Sequence, residues 1–267
     1  MTVLWLFSAS FGASALGGVL GMASGIFIVP ILTLAFGVGL HAAVAASIVS
    51  VIACSCASAA PFLEGRLTNV RLAVVLETAT ASGALAGVAM AGLIPDCWLY
   101  ALFAAILLLS ALQMLARRRE TAVAAVPDPR AWATRLRLHT AEYTVGRLPL
   151  GLGLMFGAGM LSALLGIGSG VLKIPAMDSA LRLPIKVSSA TSNFMIGVTA
   201  AASGGAYLMR GDIDCRLAAP IALGSVIGSL AGARMLMGLS AARLRLFFVL
   251  VLLALAVRMA MCAAGAR

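Results

Sequence analysis

The sequence is poor in charge, in histidine and in aromatic residues. Of its 267 residues only 10% are charged and 6% aromatic, whereas 62% are hydrophobic. Soluble domains carry about 25% charged residues. A soluble chain of this length cannot hide so much apolar surface, so the composition excludes a soluble globular protein. We therefore expect the lipid bilayer to be the solvent for most of the chain.

The chain also lacks the residue patterns of several enzyme and metal-site classes. Its two histidines, His41 and His139, lie in predicted loops, which disfavours a Ser/His dyad and leaves an intramembrane serine hydrolase as a remote alternative. The sequence has no Gly-x-x-x-x-Gly-Lys-Ser/Thr phosphate loop, so this chain alone does not drive transport with ATP. The five cysteines show no Cys-x-x-Cys spacing. We predict no catalytic residue, no metal and no cofactor.

Long apolar segments are what the sequence does contain. A spanning helix takes roughly 20 apolar residues, and the chain has about eight such segments. They lack the alternating pattern of barrel strands, so we predict an all-α, polytopic helical bundle in the membrane. The first segment has no basic n-region and no clear cleavage site, and we expect it to remain as a transmembrane element. The segments are 4–36, 42–63, 72–95, 97–116, 148–172, 187–209, 217–239 and 246–261.

Basic residues lie between these segments and produce the net charge of +10. Because they are divided among inter-helix loops, the charge does not indicate a nucleic-acid partner. The positive-inside rule places the most basic loop, in the centre of the chain, in the cytoplasm. Its basic residues are Arg117, Arg118, Arg119, Arg130, Arg135, Arg137 and Arg147.

An internal repeat divides the chain into two homologous halves. Glycine, serine and proline positions match at an offset of 145 residues, which predicts a first transmembrane repeat at 1–116, a linker at 117–146 and a second repeat at 147–267. Four passes per half would make the repeats parallel and five would make them inverted, and the sequence leaves both open. The matched pairs include Gly12 with Gly157, Gly21 with Gly166, Ser24 with Ser169, Gly25 with Gly170, Pro30 with Pro175, and Gly83 with Gly228.

A glycine-rich motif followed by proline is predicted to break the first segment of each half. Helix breaks at matched positions of duplicated halves are a pointer to a transporter binding site. A helix that restarts after such a break directs free N–H groups at the gap, which favours an anion. Ser24, Gly25, Ser169 and Gly170 are therefore candidate anion-binding residues. Close helix packing at small residues is the alternative explanation of these glycines.

These motifs resemble the TauE/SafE family of sulfite and organosulfonate exporters. The resemblance rests on 21–30 with Ala45-Ala46-Ser47, and on 166–175 with Ala190-Thr191-Ser192-Asn193, and it covers both halves. It implies an integral permease of the bacterial inner membrane for small inorganic or organosulfur anions. Glycine is more frequent in the family's motif than in this sequence, and Thr191 has no hydroxyl counterpart at Ala46. Both departures suggest that the second half makes more of the polar contacts.

Polar residues inside the apolar segments complete the candidate site, because such residues are costly in a membrane. Lys173 follows the second glycine motif and can pair with an anion, or it can snorkel to the headgroups. Thr191, Ser192 and Asn193 can line the pathway or bond helix carbonyls. Glu77 can carry a coupling proton or pair structurally with a nearby cation.

Together these features predict a secondary transporter that exports a small anion such as sulfite. An anion channel could use the same broken helices and is the alternative. The sequence does not indicate the oligomeric state, the substrate or the coupling ion.

Overall fold

A computed structural model of the chain describes residues 2–20, 24–64, 68–116, 147–181, 185–235 and 241–265. Within these ranges the secondary structure is helical throughout and contains no strand, which confirms the predicted all-α class. The predicted linker at 117–146 lies outside the described residues. The helices are α1 (Thr2–Leu20), α2 (Gly25–Ala35), α3 (Leu40–Glu64), α4 (Val70–Ala91), α5 (Asp96–Ala116), α6 (Leu148–Leu165), α7 (Gly170–Leu181), α8 (Ile185–Met209), α9 (Cys215–Met235) and α10 (Ala241–Gly265).

Several helix starts follow directly from local sequence. The side chain of Asn69 caps α4 by accepting a hydrogen bond from the N–H of Leu72 at 3.1 Å. Asp96 lies in the first turn of α5, where its carboxylate interacts favourably with the positive end of the helix dipole. A proline lies in the first turn of α6, where its missing N–H costs nothing.

Among the described residues, three helical stretches are long and apolar enough to cross a bilayer, namely Leu40–Ala59 in α3, Val70–Ala91 in α4 and Leu148–Leu165 in α6. In five further helices the apolar stretch of described residues is shorter. Large apolar side chains such as Leu85, Leu112 and Leu223 are exposed on the bundle surface, as lipid-facing residues are. The predicted number of about eight crossings stays a prediction.

Two long apolar stretches of the sequence each form two helices. The stretch at 4–36 contains α1 and α2, and the stretch at 148–172 contains α6 and the start of α7. Residues 21–23, between α1 and α2, lie outside the described residues. In the second stretch α6 ends at Gly166, whose φ of 63° is a left-handed conformation that favours glycine.

Helices of the two halves pack against each other throughout the bundle. Helix α1 packs on α9, α4 on α6, α3 on α8 and α5 on α10, whereas the short helices α2 and α7 pack on α3 and α8. Glycines permit the closest approaches, because a Cβ atom on Gly83 would overlap the backbone of Phe156, and one on Gly228 would overlap that of Phe11. These contacts bring the short helices α2 and α7 into the interior.

His41 lies in a helix, so its predicted loop position is wrong. It is the second residue of α3, and its Nε2 atom lies 2.9 Å from the carbonyl oxygen of Ala91. The preceding segment ends at Gly37, with a φ of 63°, and the chain re-enters helix at Leu40. A histidine is tolerated in this exposed first turn. His139 lies outside the described residues.

Candidate anion-binding site

The interval between α6 and α7 forms a compact, buried turn. Gly166 and Gly168 have φ values of 63° and 68°, which L side chains rarely adopt. The carbonyl oxygen of Ser169 then accepts hydrogen bonds from the N–H groups of Leu172 at 3.0 Å and Lys173 at 2.8 Å. The first N–H groups of a helix have no partner within the helix, so the start of α7 presents donors to its surroundings.

Two buried hydroxyl groups lie unpaired at this helix start. Within the described part of the chain, Ser169 Oγ and Ser192 Oγ have no hydrogen-bond partner, and both residues are fully buried. A Cβ atom on Gly170 would lie 3.7 Å from Ser192 Oγ, which places that hydroxyl of α8 beside the first residue of α7. Buried polar atoms are nearly always hydrogen-bonded, so two unpaired hydroxyls beside free helix N–H groups suit an acceptor from outside the chain.

Asn193 provides a third unpaired donor. Its Nδ2 atom is buried and has no partner among the described residues, while its backbone carbonyl accepts a hydrogen bond from Ser55 Oγ at 2.6 Å. Thr191 differs from Ser192 and Asn193, because its Oγ1 accepts a hydrogen bond from the N–H of Asn69 at 3.2 Å. Of the predicted polar triplet, therefore, Ser192 and Asn193 have donors to spare and Thr191 joins α8 to the start of α4.

Lys173 lies one turn into α7 and is 0% exposed, so its side chain does not reach the bundle surface. Its Nζ atom lies 3.3 Å from Oε2 of Glu77 and 2.5 Å from Oγ1 of Thr199. Thr199 in turn donates a hydrogen bond to Oε1 of Glu77. The three side chains come from α7, α4 and α8, and the pairing alternative considered for Glu77 is the arrangement in the structure.

Thr199 belongs to this cluster of side chains and was not among the residues predicted from the sequence. It lies seven residues after Ser192 on α8, a spacing that puts both side chains on one face of the helix. That spacing could have identified it, because Ser192 was already a candidate.

The first half arranges its corresponding residues differently. Ser24 Oγ lies 2.7 Å from Ser50 Oγ, which lies 2.5 Å from Ser225 Oγ, so a chain of hydroxyls connects α2, α3 and α9. The hydroxyl of Ser24 is therefore already paired, unlike that of Ser169. A Cβ atom on Gly25 would overlap the carbonyl oxygen of Gly166, so the start of α2 directly contacts the turn before α7.

The charges of the cluster formed by Lys173, Glu77 and Thr199 are balanced within the chain. Lys173 and Glu77 form a buried ion pair whose formal charges cancel, which is the usual condition for ionised groups in a low-dielectric interior. Among the described residues, no group of three or more His, Cys, Asp or Glu side chains could hold a metal ion. The cluster and the unpaired buried donors together offer hydroxyl, amide, backbone N–H and ammonium groups, a set that recognises an oxyanion.

The chain is similar to known membrane transport proteins. The family model described as sulfite exporter TauE/SafE matches residues 6–259. The probable membrane transporter protein YdhB of Bacillus subtilis (strain 168) is 25% identical over 218 residues, which are 81% of this chain and 83% of the relative. No solved structure matches the chain.

Proposed function

Because the chain belongs to the sulfite exporter TauE/SafE family and is a membrane transporter, we propose that it exports a small anion such as sulfite or an organosulfonate by secondary transport. One observation carries the proposal. The fully buried hydroxyl groups of Ser169 and Ser192 are unpaired at the start of α7, and Lys173, one turn into the same helix, is fully buried as well. A helix start with such donors is a suitable site for a sulfur oxyanion.

We assign direct anion contacts to the second-half residues. The backbone N–H of Gly170 and the side chains of Ser169, Ser192 and Asn193 would donate hydrogen bonds, and Lys173 would supply the positive charge. The remaining candidates would act through position: Ser24 and Gly25 hold α2 against the site, and Thr191 ties α8 to α4.

We further propose that the two halves are inverted repeats around this site. Adding 145 to the first residue of each helix in the first half gives the first residue of the corresponding helix in the second half to within one residue. Gly25 and Gly170 are an example. The packing is reciprocal as well. Gly83 of the first half contacts Phe156 of the second, and Gly228, the counterpart of Gly83, contacts Phe11, the counterpart of Phe156. Five helices per half would give opposite orientations, with the linker at 117–146 in the cytoplasm of an inner-membrane protein.

The closed site favours a carrier over a channel. Ser169, Lys173 and Ser192 are all fully buried, so an anion reaches them only after helices separate. A transporter that alternates between two openings requires such a closed intermediate. A channel needs a continuous open path in its conducting state.

The test is flux through purified protein in liposomes, with sulfite, sulfoacetate, thiosulfate and chloride compared. We expect saturable flux of a sulfur oxyanion that exceeds chloride flux. Rapid and unsaturable chloride flux would favour the channel, and no flux of any anion by folded protein would reject the proposal.

Removing the unpaired hydroxyls should separate binding from stability. We expect Ser169→Ala and Ser192→Ala to leave thermal stability unchanged, because no protein hydrogen bond is lost, while sulfite affinity falls about tenfold for each. Ser50→Ala is the matched control: it breaks the hydroxyl chain and should cost about 1–3 kcal/mol of stability. Equilibrium binding of sulfite and thermal unfolding in detergent measure the two effects. Unchanged affinity in both alanine variants would place the anion elsewhere.

A further inference from the structure

The ammonium group assigned to the anion is already occupied by a carboxylate of the chain. Lys173 Nζ lies 3.3 Å from Glu77 Oε2, and Thr199 bonds both groups. Ser169, which directly precedes α7 and lies four residues before Lys173, has an unpaired hydroxyl. An anion at the start of α7 and the carboxylate of Glu77 therefore draw on the same cation.

Charge balance makes the two anions mutually exclusive. With Glu77 ionised, the pair with Lys173 is neutral, and a bound monoanion would leave one uncompensated negative charge in a buried cluster. Uncompensated charge in a low-dielectric interior is strongly unfavourable. When Glu77 takes up one proton, Lys173 and the monoanion form the neutral pair instead.

We propose that Glu77 is a tethered counter-ion that competes with the transported anion for Lys173 and leaves it when protonated, which couples one proton to each monoanion. A hydronium ion of the surrounding water gives its proton to the Glu77 carboxylate: one O–H bond of the hydronium breaks, one O–H bond forms on Glu77, and no other covalent bond changes. The proton and the anion then move together and without net charge. After release, Glu77 ionises and pairs with Lys173 again, so the empty transporter is also neutral. This inference rests on the proposed function.

Among the described residues, no charged group other than Lys173 is paired with Glu77. Helix α6, which packs on α4, carries no titratable residue in its sequence. On α8 the phenol of Tyr207 is two turns beyond Thr199 and bonds the carbonyl oxygen of Ala163. The side chains of Lys186 and Asp178 lie outside the described residues. The charged or titratable residues of these helices are Arg71 and Glu77 on α4, Lys173 and Asp178 on α7, and Lys186 and Tyr207 on α8.

The test is equilibrium binding of radiolabelled sulfite to purified wild type and to Glu77→Gln across neutral pH. Glutamine keeps a carbonyl oxygen for Lys173 but cannot take up the proton. We expect wild-type affinity, relative to the variant, to fall by up to about tenfold per pH unit as pH rises. Sulfite itself titrates near neutral pH, but this affects both proteins equally and cancels in the ratio.

Asp96→Asn is the matched control, because it removes a carboxylate that lies 3.3 Å from His41 on the bundle surface. It should follow wild type at each pH. Sulfite binding to wild type and Glu77→Gln with the same pH dependence would overturn the tethered counter-ion while leaving the proposed function intact. Absence of sulfite binding to folded wild type would instead reject the proposed function, and the inference with it.

Thr199→Val provides a second variant if Glu77→Gln does not fold. It loses the hydroxyl that bonds both Glu77 and Lys173, so the competing carboxylate is held less firmly. We expect sulfite affinity at alkaline pH to rise relative to wild type. A fall in affinity would show that Thr199 serves the anion rather than the tether, and would contradict the inference.

Discussion

Replacing Lys173 with methionine is expected to abolish sulfite flux and to destabilise the protein by about 3–5 kcal/mol. The substitution removes the cation assigned to the anion and leaves the Glu77 carboxylate buried without its partner. Flux should fall on the order of 100-fold or more, since a buried charge contact is lost. Proteoliposome flux and chemical unfolding in detergent measure the two effects.

The double variant Lys173→Met with Glu77→Gln separates the two causes. It contains no unpaired charge at the pair, so most of the stability should return while flux stays absent. Arg71→Met is the matched control, because Arg71 is an exposed cation on α4 and its loss should change neither quantity much. Wild-type flux in the double variant would show that Lys173 does not bind the anion.

Gly25→Ala is expected to separate α2 from the turn before α7 and to reduce transport about tenfold or more. The added Cβ atom would overlap the backbone carbonyl oxygen of Gly166 and lie 2.9 Å from Cγ2 of Val51. Backbone atoms cannot turn aside as a flexible side chain does, so the helices must shift. Overpacking of this kind typically costs about 1–3 kcal/mol, which thermal unfolding would detect alongside the loss of flux.

Gly12→Ala serves as the control for helix propensity and for alanine itself. A Cβ atom on Gly12 would meet nothing within 4 Å, so the substitution should leave transport unchanged and stabilise α1 by at most about 1 kcal/mol. Equal effects of the two variants would mean that the contact between Gly25 and Gly166 does not matter for transport.

The helical membrane class and the family were predictable from local properties of the sequence. Apolar runs without alternation require helices, because only helices and closed barrels satisfy their backbone within lipid and barrel strands alternate. Glycine and proline indicate locally where a helix is interrupted. Helices α2 and α7 begin at Gly25 and Gly170, within the glycine motifs predicted to break the helices. The count of about eight segments took each broken segment as one, whereas the structure has two helices in the stretch at 4–36 and two in the stretch that begins at 148. Composition does not distinguish one broken crossing from two.

Which polar groups are paired could not be read from the sequence. Ser24 and Ser169 occupy matching positions, yet only Ser24 has a hydroxyl partner, because Ser50 has the apolar Met195 as its counterpart in the second half. Thr191 and Ser192 are adjacent, yet one accepts a hydrogen bond and the other is unpaired. Such differences depend on what a neighbouring helix presents.

The sequence by itself determined the solvent, the helical class, the family and the starts of α2 and α7, because each depends on residues close together in the chain. Only the tertiary structure decided that Glu77 forms an ion pair with Lys173, which is 96 residues away, and that Gly25 contacts Gly166. Both contacts result from the packing of helices from different halves. That packing is set by the shapes and small residues of whole helix faces, and no local pattern records it.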